Sequence, residues 1–418
     1  MIARPNAGVL YATLAKGPLL DYEDQLISTR HFMRELSRLG VTSAIDAGGG
    51  FQNYPDDYRV ISELHRRGQM TVRVAYNLFT QRPKHEVEDF RNWTKSAKLY
   101  QGDETFRLNG AGEMLVFSAA DFEDFLEPRP DLDAVLENEL EDVVRLLAAQ
   151  RWPFRLHATY NESIERFLNV FDKVNRDIPF NGLQWFFDHA ETISDRNIER
   201  VVALGGGIAV QHRMAFQGEY FVNRYGAAAA AKTPPVRRML ELGCPVGAGT
   251  DATRVASFNP FVSLHWLVTG KTVGRLQLYP NFNRLTREEG LRLYTQGNSW
   301  FSNENGAKGG LYPGQLADFA VLTDDYFIVP DEAIRHLESQ LTVVGGEVVY
   351  ASWDFRFLAP PPLLVALDWA PTVHYGGYHS RAGAVAVPAV RRCHQHGTSS
   401  GERLGEAIWG LGCDCFAF

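Results

Sequence analysis

Three short strand-like runs each end on a side chain able to bind a metal or move a proton. They are Phe154-Arg155-Leu156-His157, Leu183-Gln184-Trp185-Phe186-Phe187-Asp188-His189 and Pro245-Val246-Gly247-Ala248-Gly249-Thr250-Asp251. Imidazole nitrogens suit zinc, iron or manganese. A divalent ion held by them lowers the pKa of bound water from 15.7 toward about 7, and a carboxylate such as Asp251 beside it can carry a proton from water to a leaving group. Other candidates at the same strand ends are Glu113, an acid following Gly112, and Gln211 and His212, which close the run Gly207-Ile208-Ala209-Val210-Gln211. Each of these three could touch a metal or a substrate, or simply be solvated.

Such groups converge only if strands hold them at one rim. From about Leu20 to Asp251 helical and strand patterns alternate. Helices are expected over Asp21–Leu39, Asp56–Arg67, Asp131–Gln150 and Glu162–Val174, after Ser194, and over Pro234–Leu242. Between them lie apolar strand runs at Val41–Ala47, Thr71–Leu78 and Thr105–Asn109, followed by those ending at His157, His189, Gln211 and Thr250. Gln81–Asp103 reads as an irregular, charged stretch and Met214–Thr233 as a loop. Strands separated by helices of ten or more residues imply right-handed βαβ units and a parallel sheet. Seven strands are countable where a closed (β/α)8 TIM-type barrel has eight. After Asp251 the character changes, with helices over Asn259–Leu267 and Arg287–Phe301. A turn-rich loop, Gly309–Gly314, precedes the strand-like runs Ala317–Leu322 and Leu341–Tyr350, part of a small β-sandwich.

The expected organisation is a barrel over 1–308, a β-sandwich remnant over 309–356 and a Pro/Gly-rich tail over 357–418. With 418 residues the chain can bury one barrel and a satellite module. A net charge of −8 argues against a nucleic-acid partner, and no apolar run reaches membrane-spanning length. Four cysteines (Cys244, Cys393, Cys413, Cys415) make no disulfide framework in a chain this long, so a cytoplasmic setting with reduced thiols is expected. Cys393, His394, His396, Cys413 and Cys415 crowd the tail at spacings that fit no strong zinc module.

His157, His189-Ala190-Glu191, Gly249-Thr250-Asp251 and the loop Gly309-Gly310-Leu311-Tyr312-Pro313-Gly314 leading into Ala317-Asp318-Phe319-Ala320-Val321-Leu322 together resemble the amidohydrolase superfamily, in its YtcJ-like branch. The resemblance implies a metal at the carboxyl end of the barrel, bound by His157 on strand five and His189 on strand six, with Asp251 on strand eight as ligand and proton shuttle. It implies hydrolysis of an amide-like, non-peptide carbon–nitrogen bond in a small molecule, with zinc first and iron or manganese as alternatives. Such a protein needs no nucleic acid or membrane and could form a homo-oligomer.

Two departures from the pattern stand out. The His-x-His that the family places on strand one does not precede Leu20, as though the chain began past that strand. An open, poorly soluble barrel edge beside Val41–Ala47 would follow. Where many relatives carry a metal-bridging lysine on strand four, the run reads Phe106-Arg107-Leu108, and arginine cannot be carboxylated in that way. Glu113 could supply a carboxylate instead. Two rivals follow: a catalytically impaired barrel, and a carboxylate-driven glycosidase using Glu113 and Asp251.

Overall fold

A computed structural model describes residues 20–48, 53–122, 124–252 and 256–364. Seven parallel strands form one curled sheet in chain order: β1 (Ser43–Asp46), β2 (Arg73–Leu78), β3 (Phe106–Ala111), β4 (Phe154–Ala158), β5 (Trp185–His189), β6 (Gly207–Gln211) and β7 (Val246–Gly249). Consecutive strands are neighbours and helices lie between them, which is the arrangement of a barrel wall left open between β1 and β7 among the described residues. A second, antiparallel sheet contains β8 (Phe319–Leu322), β9 (Ser339–Val344) and β10 (Glu347–Ala351), in the order β10-β9-β8. The run expected as one strand over Leu341–Tyr350 is a hairpin, because Gly345 (φ 60°) and Gly346 (φ 84°) turn the chain back.

Helix boundaries follow local chemistry. Tyr22–Arg38 starts where the Asp21 carboxylate accepts the Asp24 N–H at 2.8 Å. Asp195–Ala203 starts after Ser194, whose side chain accepts from the Asn197 N–H. Two segments read as irregular from sequence are helical: Glu86–Ser96, and Arg213–Tyr225, which takes up the first part of the stretch expected as a loop. In Glu86–Ser96 the buried positions are Glu86, Asp89 and Phe90, so its inner face carries two acids and little apolar signal. Asp89 is held there by Thr80 and Arg82.

The outer face of the sheet carries the main core. Phe154 and Leu156 of β4, with Trp185 and Phe187 of β5, are buried against Phe167, Phe171 and Phe180. Burying one such aromatic contributes roughly 1.5–3 kcal/mol. The concave face is filled differently. β6 and β7 present Gly207 and Gly247, and a Cβ there would come within 2.6 Å of Trp300 and 2.8 Å of the Phe301 ring. These glycines let the short helix Asn298–Phe301 plug the barrel floor. The same segment seals the free edge of β7: the Asn298 amide accepts from the Ala248 N–H at 3.1 Å and donates to the Ala248 carbonyl at 2.8 Å. A five-residue π-helical turn, Leu293–Gly297, aims it there. A side chain thus does for β7 what a neighbouring strand does elsewhere. β1 has no strand on its other side among the described residues.

Candidate active site

At the carboxyl rim of the sheet, β3, β4 and β5 bring three groups together. His157 points inward from β4, in alternation with inward Arg155. Strict alternation would send His189 to the helix side with Trp185 and Phe187. The left-handed backbone at His189 (φ 80°) and Ala190 (φ 55°) breaks that alternation. The His189 ring lies against that of His157, with centroids 4.0 Å apart. Non-glycine residues in this region cost of order 1–3 kcal/mol and cluster at functional sites.

Glu113 reaches the same point because β3 runs on past its last paired residue. The Glu113 N–H bonds the Ala47 carbonyl at 3.0 Å, and its carbonyl accepts from the His157 N–H at 2.8 Å. Gly112 permits this approach, since a Cβ there would lie 2.8 Å from the Ala47 carbonyl oxygen. The carboxylate then stands 3.6 Å from His157 Nδ1 and 3.4 Å from His189 Nε2. All three ligand atoms lie within 4.8 Å of one another. In a tetrahedral site with metal–nitrogen and metal–oxygen bonds of 2.0–2.2 Å, neighbouring ligand atoms are about 3.3–3.6 Å apart. The donor set therefore fits one divalent cation with room for a further ligand, and His189 Nε2 makes no hydrogen bond within the protein.

Charge at the site is consistent with that use. Burial alone would raise the Glu113 pKa, but the two imidazoles outweigh it and hold the carboxyl well below the usual range. Burial alone would lower His189, yet Glu113, Glu191 and Asp251 raise it to about 10. Gln211 hydrogen-bonds His189 Nδ1, so its side chain orients a ring and stands behind the three-residue cluster. His212, the next residue, is fully buried against Phe216, and burial pushes its pKa down to about 3 despite an opposing interaction with the Ser257 backbone.

Asp251 is not one of the three mutually close donors, but it interacts electrostatically with His189, Glu113 and His157. It follows the end of β7 by two residues, in the left-handed region (φ 51°), a third of its side chain is exposed, and its carboxylate accepts from Arg213 Nη2 at 2.9 Å. Arg107, read from the resemblance as standing where many relatives carry a lysine, turns away to the Ser302 carbonyl and to Glu304. Two further carboxylates were not singled out as site groups from sequence. Glu191 is buried and its pKa is raised to about 7 by desolvation. Asp121 is completely buried, lies 3.9 Å from His157 Nε2, and is raised to about 6 by the same cause. Asp121 sits in an irregular loop 36 residues before His157, so no periodicity marks it. Glu191 was visible only as an acid two residues after His189. The tail residues Cys393, His394, His396, Cys413 and Cys415 lie outside the described residues.

Comparison with known proteins bears on the family and the fold. The profile of the amidohydrolase family matches residues 1–350. Over 228 residues the chain is 25% identical to the putative amidohydrolase YtcJ of Bacillus subtilis (strain 168), covering 53% of this chain and 42% of that protein. The chain thus spans less than half the length of this curated relative. An uncharacterized metal-dependent hydrolase from Pyrococcus horikoshii OT3 superposes with a TM-score of 0.59 at 18% identity, over 77% of this chain and 64% of the other. A variant of atrazine chlorohydrolase TrzN from Arthrobacter aurescens TC1, complexed with zinc and atraton, superposes with a TM-score of 0.55 at 15% identity, over 83% and 75%. At these identities the structural likeness speaks for the fold. Among the described residues no helix is long and apolar enough to cross a membrane.

Proposed function

Because the chain belongs to the amidohydrolase family, we propose that it is a hydrolase that cleaves a carbon–nitrogen bond of a small amide-like molecule with one divalent cation at Glu113, His157 and His189. The observation that carries this reading is the spacing of two buried imidazole nitrogens and one carboxylate oxygen as corners of a single coordination polyhedron. When bound, such a cation supplies Lewis-acid polarisation and a water acidified toward a pKa of about 7. Two nitrogens and one oxygen suit zinc first, with iron or manganese as alternatives.

The chain's own residues do the rest. Gln211 orients His189, and β4 and β5 fix the distance between the rings. Asp251, on the exposed side of the rim, takes the proton of the attacking water and returns it to the leaving nitrogen, with Arg213 aiming its carboxylate. A cytoplasmic setting and a small-molecule substrate belong to the same reading. The test is hydrolysis of a panel of small N-acyl and cyclic amides by purified protein, with and without a chelator. Activity lost on chelation, restored by zinc and absent from Asp251→Asn supports the reading. Activity indifferent to chelation and to Asp251→Asn excludes it. Zinc binding without turnover of any amide would favour the catalytically impaired alternative, expected from the missing His-x-His ligands.

A further inference from the structure

The metal-site reading leaves one neighbour of His157 unused. Asp121 lies in the loop between β3 and the helix Leu136–Ala149, and its side chain is wholly buried. Its Oδ2 accepts the Thr159 N–H at 2.8 Å and the Tyr160 N–H at 3.0 Å, at the start of the helix Asn161–Asp177. Its Oδ1 faces His157 Nε2 at 3.9 Å, and Thr159 Oγ1 lies 3.2 Å from the same nitrogen. The next residue, Phe122, sets its ring edge-on to the His157 ring at 4.8 Å. Further along the loop, the Arg129 guanidinium lies 5.0 Å over each of the Tyr160 and Tyr225 rings and anchors the segment.

These contacts surround His157 asymmetrically. Nδ1 faces Glu113, and Nε2 faces a hydroxyl with a buried carboxylate behind it. We infer that Asp121, acting through Thr159, is a positioning residue that keeps a proton on His157 Nε2, so that Nδ1, on the Glu113 side, is the nitrogen presented to the cation. This rests on the cation-binding reading of the site. Outer partners of this kind fix the tautomer and orientation of a ligating histidine, and their loss typically lowers metal affinity about 10–100-fold.

Asp121→Asn separates this role from a structural one. The asparagine oxygen can still accept from the Thr159 and Tyr160 N–H groups, whereas its NH2 would face His157 Nε2 and oppose a proton there. Zinc affinity, measured by competition with a chromophoric chelator, should fall about 10–100-fold. In the zinc-free protein, nitrogen-15 NMR of the histidine rings above their titration should show the His157 proton moving from Nε2 toward Nδ1. If Asp121→Asn fails to fold, Thr159→Val reads out the same pair of quantities with the carboxylate in place. Unchanged tautomer and unchanged affinity in the folded variant overturn the inference. A wild-type protein without zinc affinity sinks the proposed function, while the tautomer measurement still decides the part played by Asp121.

Discussion

Replacing Asp188 by asparagine tests what holds β4 and β5 in register beneath the site. Arg155 Nε donates to Asp188 Oδ2 at 2.6 Å, and Nη2 donates to the other oxygen, a bidentate pair between adjacent strands. The two side chains are 9% and 5% exposed, and the guanidinium lies 4.9 Å over the Phe186 ring. Asp188 is also the register partner of His157. An asparagine of the same shape would leave the guanidinium buried without its counter-charge. Breaking a buried pair in this way costs about 3–5 kcal/mol, a large part of a total stability of roughly 5–15 kcal/mol. With a urea slope of about 3 kcal/mol/M, the unfolding midpoint should drop by roughly 1–1.7 M. The double variant Arg155→Met/Asp188→Leu removes both charges, and most of the loss should return. A single variant within about 1 kcal/mol of wild type, or a double variant no better than the single, would refute the reasoning.

Gly247→Ala should destabilise by about 1–3 kcal/mol in the same urea assay, because its methyl would meet Asn298 Oδ1 at 2.5 Å and the Phe301 ring at 2.8 Å; a neutral result would show that the barrel floor is loosely packed. His212 should impose an acid-side loss of stability. Its folded pKa of about 3 lies below the ordinary 6.5, so the unfolded chain gains a proton that the folded one refuses. Its contribution is complete above about pH 6.5 and is lost as pH falls toward 3, at up to about 1.4 kcal/mol per pH unit. Asp121 and Glu191, with folded pKa values raised to about 6 and 7, work in the opposite sense. The measurement is therefore the difference in slope between wild type and His212→Asn from pH 6 to 4, and equal slopes would contradict the assignment.

Much of this architecture was legible in the chain. Alternating helix and strand periods, with glycines or prolines at their ends, announce the seven parallel strands, and the placement of His157 and His189 follows from where apolar runs stop. Glu113 was ambiguous because an acid after glycine in a loop is usually solvated. Only the tertiary approach of Gly112 to the Ala47 carbonyl brings it between the rings. The partner of Asp251 was illegible, since Arg213 lies in a stretch whose helical pattern is blurred by His212, Arg213 and Gln217 buried beside apolar residues. Asp121 was illegible for a similar reason, as its contacts join an irregular loop to a strand end 38 residues away. The helix Glu86–Ser96 was missed because its inward face carries acids where an apolar stripe is expected: Asp89 is held by Thr80 and Arg82 just before the helix, and Glu86 accepts from the distant Phe117 N–H.

The central claim is that Glu113, His157 and His189 form one cation site. Equilibrium zinc titration of the metal-free protein, followed by metal analysis after gel filtration, tests it most directly. The account predicts about one tightly held equivalent in the wild type, and little retention in His189→Ala or Glu113→Gln with the fold preserved by circular dichroism. A wild type that retains no zinc, iron or manganese, or variants that retain as much as the wild type, would contradict it.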